Sequence, residues 1–325
     1  MTRVFVTQPV FESALERLRA IAEVTTNPDA RQVLPRRQLI AGVCGCDILF
    51  SLLHDRVDRE VIAANPKLRA IASMSITPDN VDVAAATARR IPVTVVPALA
   101  VESTADMHFA LLLAVARRVV EGDQLVRAGI FPGSQANYLL GSGVHGKTIG
   151  LVGGRGRIGR AVAARAKGFS MRILYCGPHR MERADEEELG AAYVPLDGLL
   201  AEADFVSLHP SLTDATRHMI DARALALMKP TAFLINTARG AVVDEAALIK
   251  ALTEKRIAGA GLDVFENEPD LNGALTQLRN VVMTPHLGSA VFEVRETMAN
   301  AVVDNIVALL EGRRPPNIVN PEVLS

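Results

Sequence analysis

The chain has 325 residues, 49% of them hydrophobic and 22% charged, with a formal net charge of −1. That length exceeds what one hydrophobic core ordinarily serves, which points to two domains of a globular protein. So neutral a balance offers no field for a nucleic-acid backbone, so no nucleic acid is expected as a partner. Apolar runs such as 109–116 are too short to cross a bilayer, and the first ten residues read as a strand and not as a secretion signal. The expected location is cytoplasmic, with no membrane partner. The three cysteines, Cys44, Cys46 and Cys176, are too few for a disulfide framework. Cys44 and Cys46 lack nearby His or Cys partners, so no metal site is expected, and both read as small buried hydrophobes.

Over the first hundred residues, strands are predicted at 4–7, near Val24, and at 47–52, 68–73 and 93–96. Helices are predicted between them at 11–20, 35–42, 57–65 and 79–90. This alternation specifies a parallel sheet with helices on both faces. Residues 102–128 form one long helical pattern, apolar on most faces, which requires cover from more than one side. It reads as a domain connector, a dimer element or both. Residues 129–146, rich in Gly, Ser and Asn, read as a loop. A second alternating series follows, with strands at 148–153, 172–176, 192–194, 204–208, 232–236, 259–263 and 281–284, and a last long helix at 290–311. The predicted class is α/β, with two doubly wound parallel-sheet domains.

The strongest local motif is Thr148-Ile-Gly-Leu-Val-Gly-Gly-Arg-Gly-Arg-Ile-Gly159, which sets Gly154-x-Gly156-x-x-Gly159 between an apolar strand and an Ala-rich helix. The first glycine permits a tight turn, the second lets the backbone approach a pyrophosphate, and the third lets helix and strand pack closely. The helix N-terminus adds unpaired N–H groups and a positive dipole end. In this frame the motif points to dinucleotide binding through Gly154, Arg155, Gly156, Arg157 and Ile158. When NAD is preferred, the second strand of such a fold usually ends in an acid that bonds the ribose 2′-OH. Here it ends Leu174-Tyr-Cys-Gly-Pro-His-Arg180, without an acid. His179 and Arg180 stand where a 2′-phosphate would be met, and a planar guanidinium suits phosphate. The expected cofactor is NADP(H), with NAD(H) the alternative, in which Arg180 and Arg183 are only solvated surface charges.

Three later strands each end near one chemically useful residue: Arg239, Glu268 and His286. Ligands of open α/β sheets sit beyond the carboxyl ends of the strands, so the three can converge there. Reducing a 2-oxo acid needs a hydride donor, a proton donor and a cation for the carboxylate. His286 can donate the proton, Glu268 can stabilise its imidazolium, and Arg239 can hold the carboxylate bidentately and polarise the 2-oxo group.

With these motifs, and with Gly146-Lys-Thr-Ile-Gly150, Val206-Ser-Leu-His209, Met228-Lys-Pro230, Asn236-Thr-Ala-Arg-Gly-Ala-Val-Val-Asp244, Gly261-Leu-Asp-Val-Phe265 and Pro285-His-Leu-Gly-Ser289, the chain resembles the D-isomer-specific 2-hydroxyacid dehydrogenase family nearly end to end. It is most similar to the glyoxylate/hydroxypyruvate reductase branch. The resemblance implies a Rossmann nucleotide domain, 103–289, inserted into a flavodoxin-like substrate domain, 1–102 and 290–325. It implies reduction of small 2-oxo acids to D-2-hydroxy acids, with Arg239, Glu268 and His286 in the roles above. It assigns Asp263 to the nicotinamide carboxamide, Thr237 and Ala238 to the nicotinamide side, and further cofactor contacts to Thr104, His209, Pro210 and Ser289. Leu53, Ser75, Ile76 and Thr77 join Arg239 and His286 as substrate contacts, in a cleft that closes as the domains hinge. The long helix implies a homodimer.

The chain departs from the family pattern at four places. Family members usually read G-x-x-G-x-G-x-I-G, whereas Gly150–Gly159 holds one residue more, read here as a longer strand before the phosphate loop. The substrate loop, often S-V-G-x-D-N, is Ser75-Ile-Thr-Pro-Asp-Asn80; Thr77 restricts the backbone and Pro78 pushes it toward extended conformations. There is no Trp, leaving Phe131 and Tyr138 to cover the pocket or the pocket more open. After His209 stands Pro210-Ser-Leu-Thr213 in place of x-P-L-T. Alternative readings are a relative acting on phosphite, formate or a bulkier 2-oxo acid, a nucleotide-sensing corepressor, and a protein with a decayed site.

Overall fold

A computed structural model describes residues 1–29 and 31–324. The chain forms two compact units, one of residues 1–99 together with Val291 onward, the other Ala100–Ala290.

The first unit opens with β1 (Arg3–Val6), α1 (Glu12–Arg19), β2 (Glu23–Thr26), α2 (Arg36–Cys44), β3 (Ile48–Ser51), α3 (Arg59–Ala63), β4 (Ala70–Ser73), α4 (Val83–Ala88) and β5 (Val93–Thr94). Its strands pair in the order β2-β1-β3-β4-β5, all parallel. Every residue of β3 and β4 is buried, as expected of strands covered on both faces. The helix predicted over 79–90 is shorter, because the Asp82 carboxylate accepts from the Ala85 amide and caps α4 at its true start. Cys46 and Cys176 are buried, but Cys44 is exposed, correcting the expectation for it. It is the last residue of α2, whose buried face is Leu39 and Val43.

The second unit begins with α5 (Val101–Ala116) and α6 (Val119–Arg127). The single helix predicted over 102–128 is thus two. A continuous helix would use the Ala116 carbonyl four residues on; here the Ser142 amide donates to it at 2.7 Å. A Cβ on Gly141 would lie 2.5 Å from that oxygen, so only glycine lets this segment cross the helix end. Arg118 turns left-handed at the break (φ 54°, ψ 37°), and its guanidinium pairs with Glu121.

The series continues with β6 (Thr148–Val152), α7 (Arg157–Gly168), β7 (Arg172–Cys176), α8 (Arg183–Leu189), β8 (Ala191–Tyr193), α9 (Leu196–Glu202), β9 (Phe205–Leu208), α10 (Ala222–Leu227), β10 (Phe233–Asn236), α11 (Glu245–Thr253), β11 (Gly259–Leu262), α12 (Gly273–Thr276) and β12 (Val281–Met283). The seven parallel strands run β12-β11-β10-β9-β6-β7-β8. The order reverses between β6 and β9, and a ligand crevice opens at such a switch point. The chain then returns to the first unit as α13 (Phe292–Leu310), whose Met298, Val302, Val303 and Ile306 share a core with Val4, Leu18 and Phe50. Both units are parallel-sheet α/β structures. No described helix is long and apolar enough to cross a membrane.

Candidate active site

The turn from β6 to α7 lies at the switch point. Val152 pairs in register with Cys176 on one side and Leu208 on the other, so β6 ends normally. The extra residue therefore sits in the turn and not in the strand, correcting the expectation of a lengthened strand. Gly153 is left-handed (φ +79°), and a Cβ there would lie 2.8 Å from Pro210 N and 2.9 Å from His209 C, backbone atoms that cannot easily yield. A Cβ on Gly159 would lie 2.6 Å from the Gly154 oxygen, so the third glycine of the motif does let α7 close on the first. Gly156 begins α7 with no side-chain cap. The amides of the first turn thus have no intrahelical acceptor, a fit for an anion. Arg155 and Arg157 are exposed beside it, and Ile158 is half-buried.

Beyond β7, His179 and Arg180 are exposed. Arg180 is held bidentately by Glu186 of α8, Nε to Oε1 at 2.7 Å and Nη2 to Oε2 at 2.8 Å. The buried Tyr175 hydroxyl also donates to Glu186 Oε1 at 2.5 Å and accepts from the Met181 amide at 2.7 Å. The Arg180 guanidinium, helped by Tyr175, holds the Glu186 carboxyl down at about 2. An acid absent from the strand end thus arrives from the next helix. Neither Glu186 nor Tyr175 was singled out from sequence; an acid on the first helix after β7 was the available signal. Val152, Cys176, Pro178, Tyr193, Pro210 and Met219 line a recess of about 240 Å³ between the ends of β6, β7 and β9.

On the other side of the switch point, Arg239, Glu268 and His286 follow the ends of three adjacent strands, β10, β11 and β12. His286 Nδ1 lies 2.7 Å from Glu268 Oε2, with both side chains 18% exposed. Glu268 Oε1 accepts from the Phe265 amide at 2.8 Å, which fixes the carboxylate. Arg239 is half-buried, and Asn236 orders its loop by bonding both the Arg239 carbonyl and the Ala238 amide. At Gly240 a Cβ would fall 1.9 Å from Phe265 C, so the Arg239 loop rests directly on the backbone leading to Glu268.

Asp263, 1% exposed, organises the turn that carries His286. Its Oδ1 accepts from Thr284 Oγ1 at 2.5 Å and Leu287 N at 2.7 Å, and its Oδ2 from Gly288 N at 2.8 Å. Three of about four lone-pair sites are thus spent on the turn. Thr104 Oγ1 donates to the Gly288 carbonyl at 3.3 Å, and Ser289 follows half-buried. The Thr237 hydroxyl is buried with no hydrogen-bond partner among the described residues, and Ala238 beside it is buried. An orphaned hydroxyl just past the end of β10 fits a polar ligand that brings the partner.

In the first unit, Ser75 is 3% exposed and internally engaged: its hydroxyl donates to the Thr77 carbonyl at 2.7 Å and meets Ser73 Oγ at 2.7 Å. Its side chain thus supports the loop. Ile76 and Thr77 are half-buried, and Thr77 Oγ1 bonds Asp79 Oδ2 at 2.7 Å. Asn80 Nδ2 donates to the Leu52 and Asp55 carbonyls, tying this loop to the one bearing the half-buried Leu53.

The family described as D-isomer specific 2-hydroxyacid dehydrogenase, NAD binding domain, matches residues 109–288. A glyoxylate reductase of Thermococcus litoralis is 49% identical over 99% of this chain and 98% of its own. A Thermus thermophilus protein superposes with a TM-score of 0.89 at 44% identity, covering 98% of this chain and 99% of the other. An NADPH-dependent glyoxylate/hydroxypyruvate reductase from Sinorhizobium meliloti, solved with NADP and malonate, superposes with a TM-score of 0.79 at 33% identity over 98% of this chain and 97% of its own. By these matches the chain belongs to the D-isomer-specific 2-hydroxyacid dehydrogenase family.

Proposed function

We propose that this oxidoreductase reduces glyoxylate, hydroxypyruvate and similar small 2-oxo acids to D-2-hydroxy acids, with NADP(H) preferred over NAD(H). The observation that carries the reading is the 2.7 Å Glu268–His286 pair, set with Arg239 past three neighbouring strands of a dinucleotide-binding sheet. The nicotinamide, when bound, supplies the hydride. With Nδ1 engaged by Glu268, His286 presents Nε2 as the proton donor to the 2-oxo oxygen. Glu268 stabilises the imidazolium and fixes the ring. Arg239 holds the carboxylate and polarises the carbonyl. The amides of Ile76 and Thr77 assist at the carboxylate, and Leu53 packs on the substrate. Residues 100–290 form the nucleotide domain and the rest of the chain the substrate domain.

Gly154, Arg155, Gly156, Arg157 and Ile158 receive the pyrophosphate. Thr237 and Ala238 face the nicotinamide, with Asp263, Thr104 and Ser289 behind it. The NADP(H) preference rests on His179 and Arg180; Glu186 holds the guanidinium where a 2′-phosphate would arrive. Val119, Val126, Phe131 and Leu140, 49–79% exposed together with Ile130 on and after α6, support a homodimer that covers them.

A panel of 2-oxo acids, each with NADPH and with NADH, tests this function. NADPH oxidation with glyoxylate or hydroxypyruvate is expected. No turnover with any 2-oxo acid and either nucleotide would contradict it.

A further inference from the structure

His218 lies in the connection between β9 and α10 and is no part of the catalytic set proposed above. Its backbone is left-handed (φ 52°), which is uncommon outside glycine and is kept only where the surroundings impose it. The bonds that impose it run to two different loops. The His218 amide donates to the Ala241 carbonyl at 2.9 Å, and the Ile220 amide to the Val242 carbonyl at 3.1 Å. The Asp244 amide donates back to the Ile220 carbonyl at 3.1 Å, and Ile220 and Val243 pair as a parallel bridge. Residues 218–220 are therefore laid along 241–244, the stretch that directly follows Arg239 and Gly240.

The imidazole goes to the other loop. His218 Nε2 lies 2.7 Å from Glu266 Oε1. A carboxylate only accepts, so Nε2 bears a proton and donates whether or not the ring is charged. Glu266 stands two residues before Glu268 and beside Phe265, whose amide donates to Glu268 Oε1. A second, weaker arm joins the same loops. Glu266 Oε2 accepts from the Glu245 amide at 3.4 Å, and Glu245 Oε2 accepts from the Glu266 amide at 3.2 Å, both long bonds. The close approach at Gly240 also brings these loops together, but packing alone resists approach more than sliding. The His218 bond is directional and fixes the register. The His218 and Glu266 side chains are 40% and 25% exposed, so the pair adds little to stability.

We propose that His218 is a positioning residue: it fixes the Arg239 loop against the Glu268 loop, so that the cation for the substrate carboxylate and the pair that delivers the proton keep one spacing. This rests on the roles proposed above for Arg239, Glu268 and His286. The carboxylate and 2-oxo group of the substrate are on adjacent carbons, so the groups that meet them have little freedom to shift. A displacement of about 1 Å can cost on the order of 10²-fold in rate.

The test is steady-state kinetics with glyoxylate and NADPH, beside thermal unfolding and calorimetric titration of NADPH. His218→Asn tolerates the left-handed backbone, but its amide stops short of the place of Nε2. His218→Gln carries a donor out to about that place, and Glu266→Ala removes the acceptor. His218→Asn and Glu266→Ala should each lower kcat/KM about ten- to a hundredfold, with KM for glyoxylate raised as well as kcat lowered. Tm and NADPH affinity should stay near wild type. His218→Gln should recover most of the loss, and the double variant should be no slower than the slower single one. A merely destabilised protein loses active molecules, which lowers kcat and leaves KM alone. That result, or wild-type kinetics in folded His218→Asn, overturns this proposal alone. So do losses that multiply in the double variant. A wild-type protein that turns over no 2-oxo acid overturns the proposed function and this proposal together.

Discussion

The two sides of the switch point are built differently. Beyond β10, β11 and β12 the useful side chains are half-buried or buried and tied to one another: Asp263 holds the turn of His286, Glu268 holds its ring, and Gly240 seats the Arg239 loop on the backbone that leads to Glu268. Beyond β7 the cation proposed to meet a 2′-phosphate, Arg180, is 66% exposed and held by one carboxylate. Buried, mutually bonded groups fail as a set when one is removed. Exposed ion pairs are screened and worth little each. The chemistry should therefore be rigid and intolerant of substitution, and the nucleotide preference soft and adjustable.

The largest expected effect is on the rigid side. His286→Ala should lower kcat about 10²–10⁴-fold while NADPH affinity, read by titration, stays near wild type. An unimpaired rate would remove His286 from proton delivery and break the contrast. Next, Gly240→Ala forces a methyl into the Phe265 backbone. It should cost about 1–3 kcal/mol of stability, read by denaturant unfolding, and slow turnover through the displaced Arg239. Wild-type values would mean the two loops are not coupled.

Acid should weaken the fold by way of His108 and His209. Their folded pKa values lie below the unfolded value of about 6.5, His209 at about 3. The unfolded chain therefore takes up protons first as pH falls. The stability these groups contribute is fully present above pH ~6.5 and is lost progressively below it. A Tm series from pH 7 to 5 should fall, and more gently in His108→Phe; parallel slopes would contradict neutral burial of His108. The smallest effect sharpens the soft side. Arg180→Ala should weaken NADPH about tenfold and NADH hardly at all, and equal losses would show that Arg180 does not read the 2′-phosphate.

Legibility followed the same division. Strands such as β9 and β10 are buried at every residue and mostly apolar, a pattern that announces a doubly covered sheet. The chemical residues sit a few positions past those runs, where the parallel topology alone brings them to one edge. What could not be read depends on partners distant in sequence. The break at Arg118 arises because the Ser142 amide takes the Ala116 carbonyl. Arg180 looked unattended because Glu186 reaches it from another element. Ser75 reads as a ligand contact by position, and its hydroxyl is turned into its own loop. His108 falls in an apolar helix and passes for core, and only the approach of β9 gives it Ser207. Cys44 and Cys46 look alike until the helix face separates them.

The claim that Glu268 and His286 act as one proton-delivering unit is tested most directly by a double-mutant cycle on kcat for glyoxylate reduction, using Glu268→Gln, His286→Ala and the double variant. If they act as a unit, the double variant is no slower than His286→Ala alone, since Glu268 works only through the ring it holds. Losses that multiply would show two independent contributions and contradict the account.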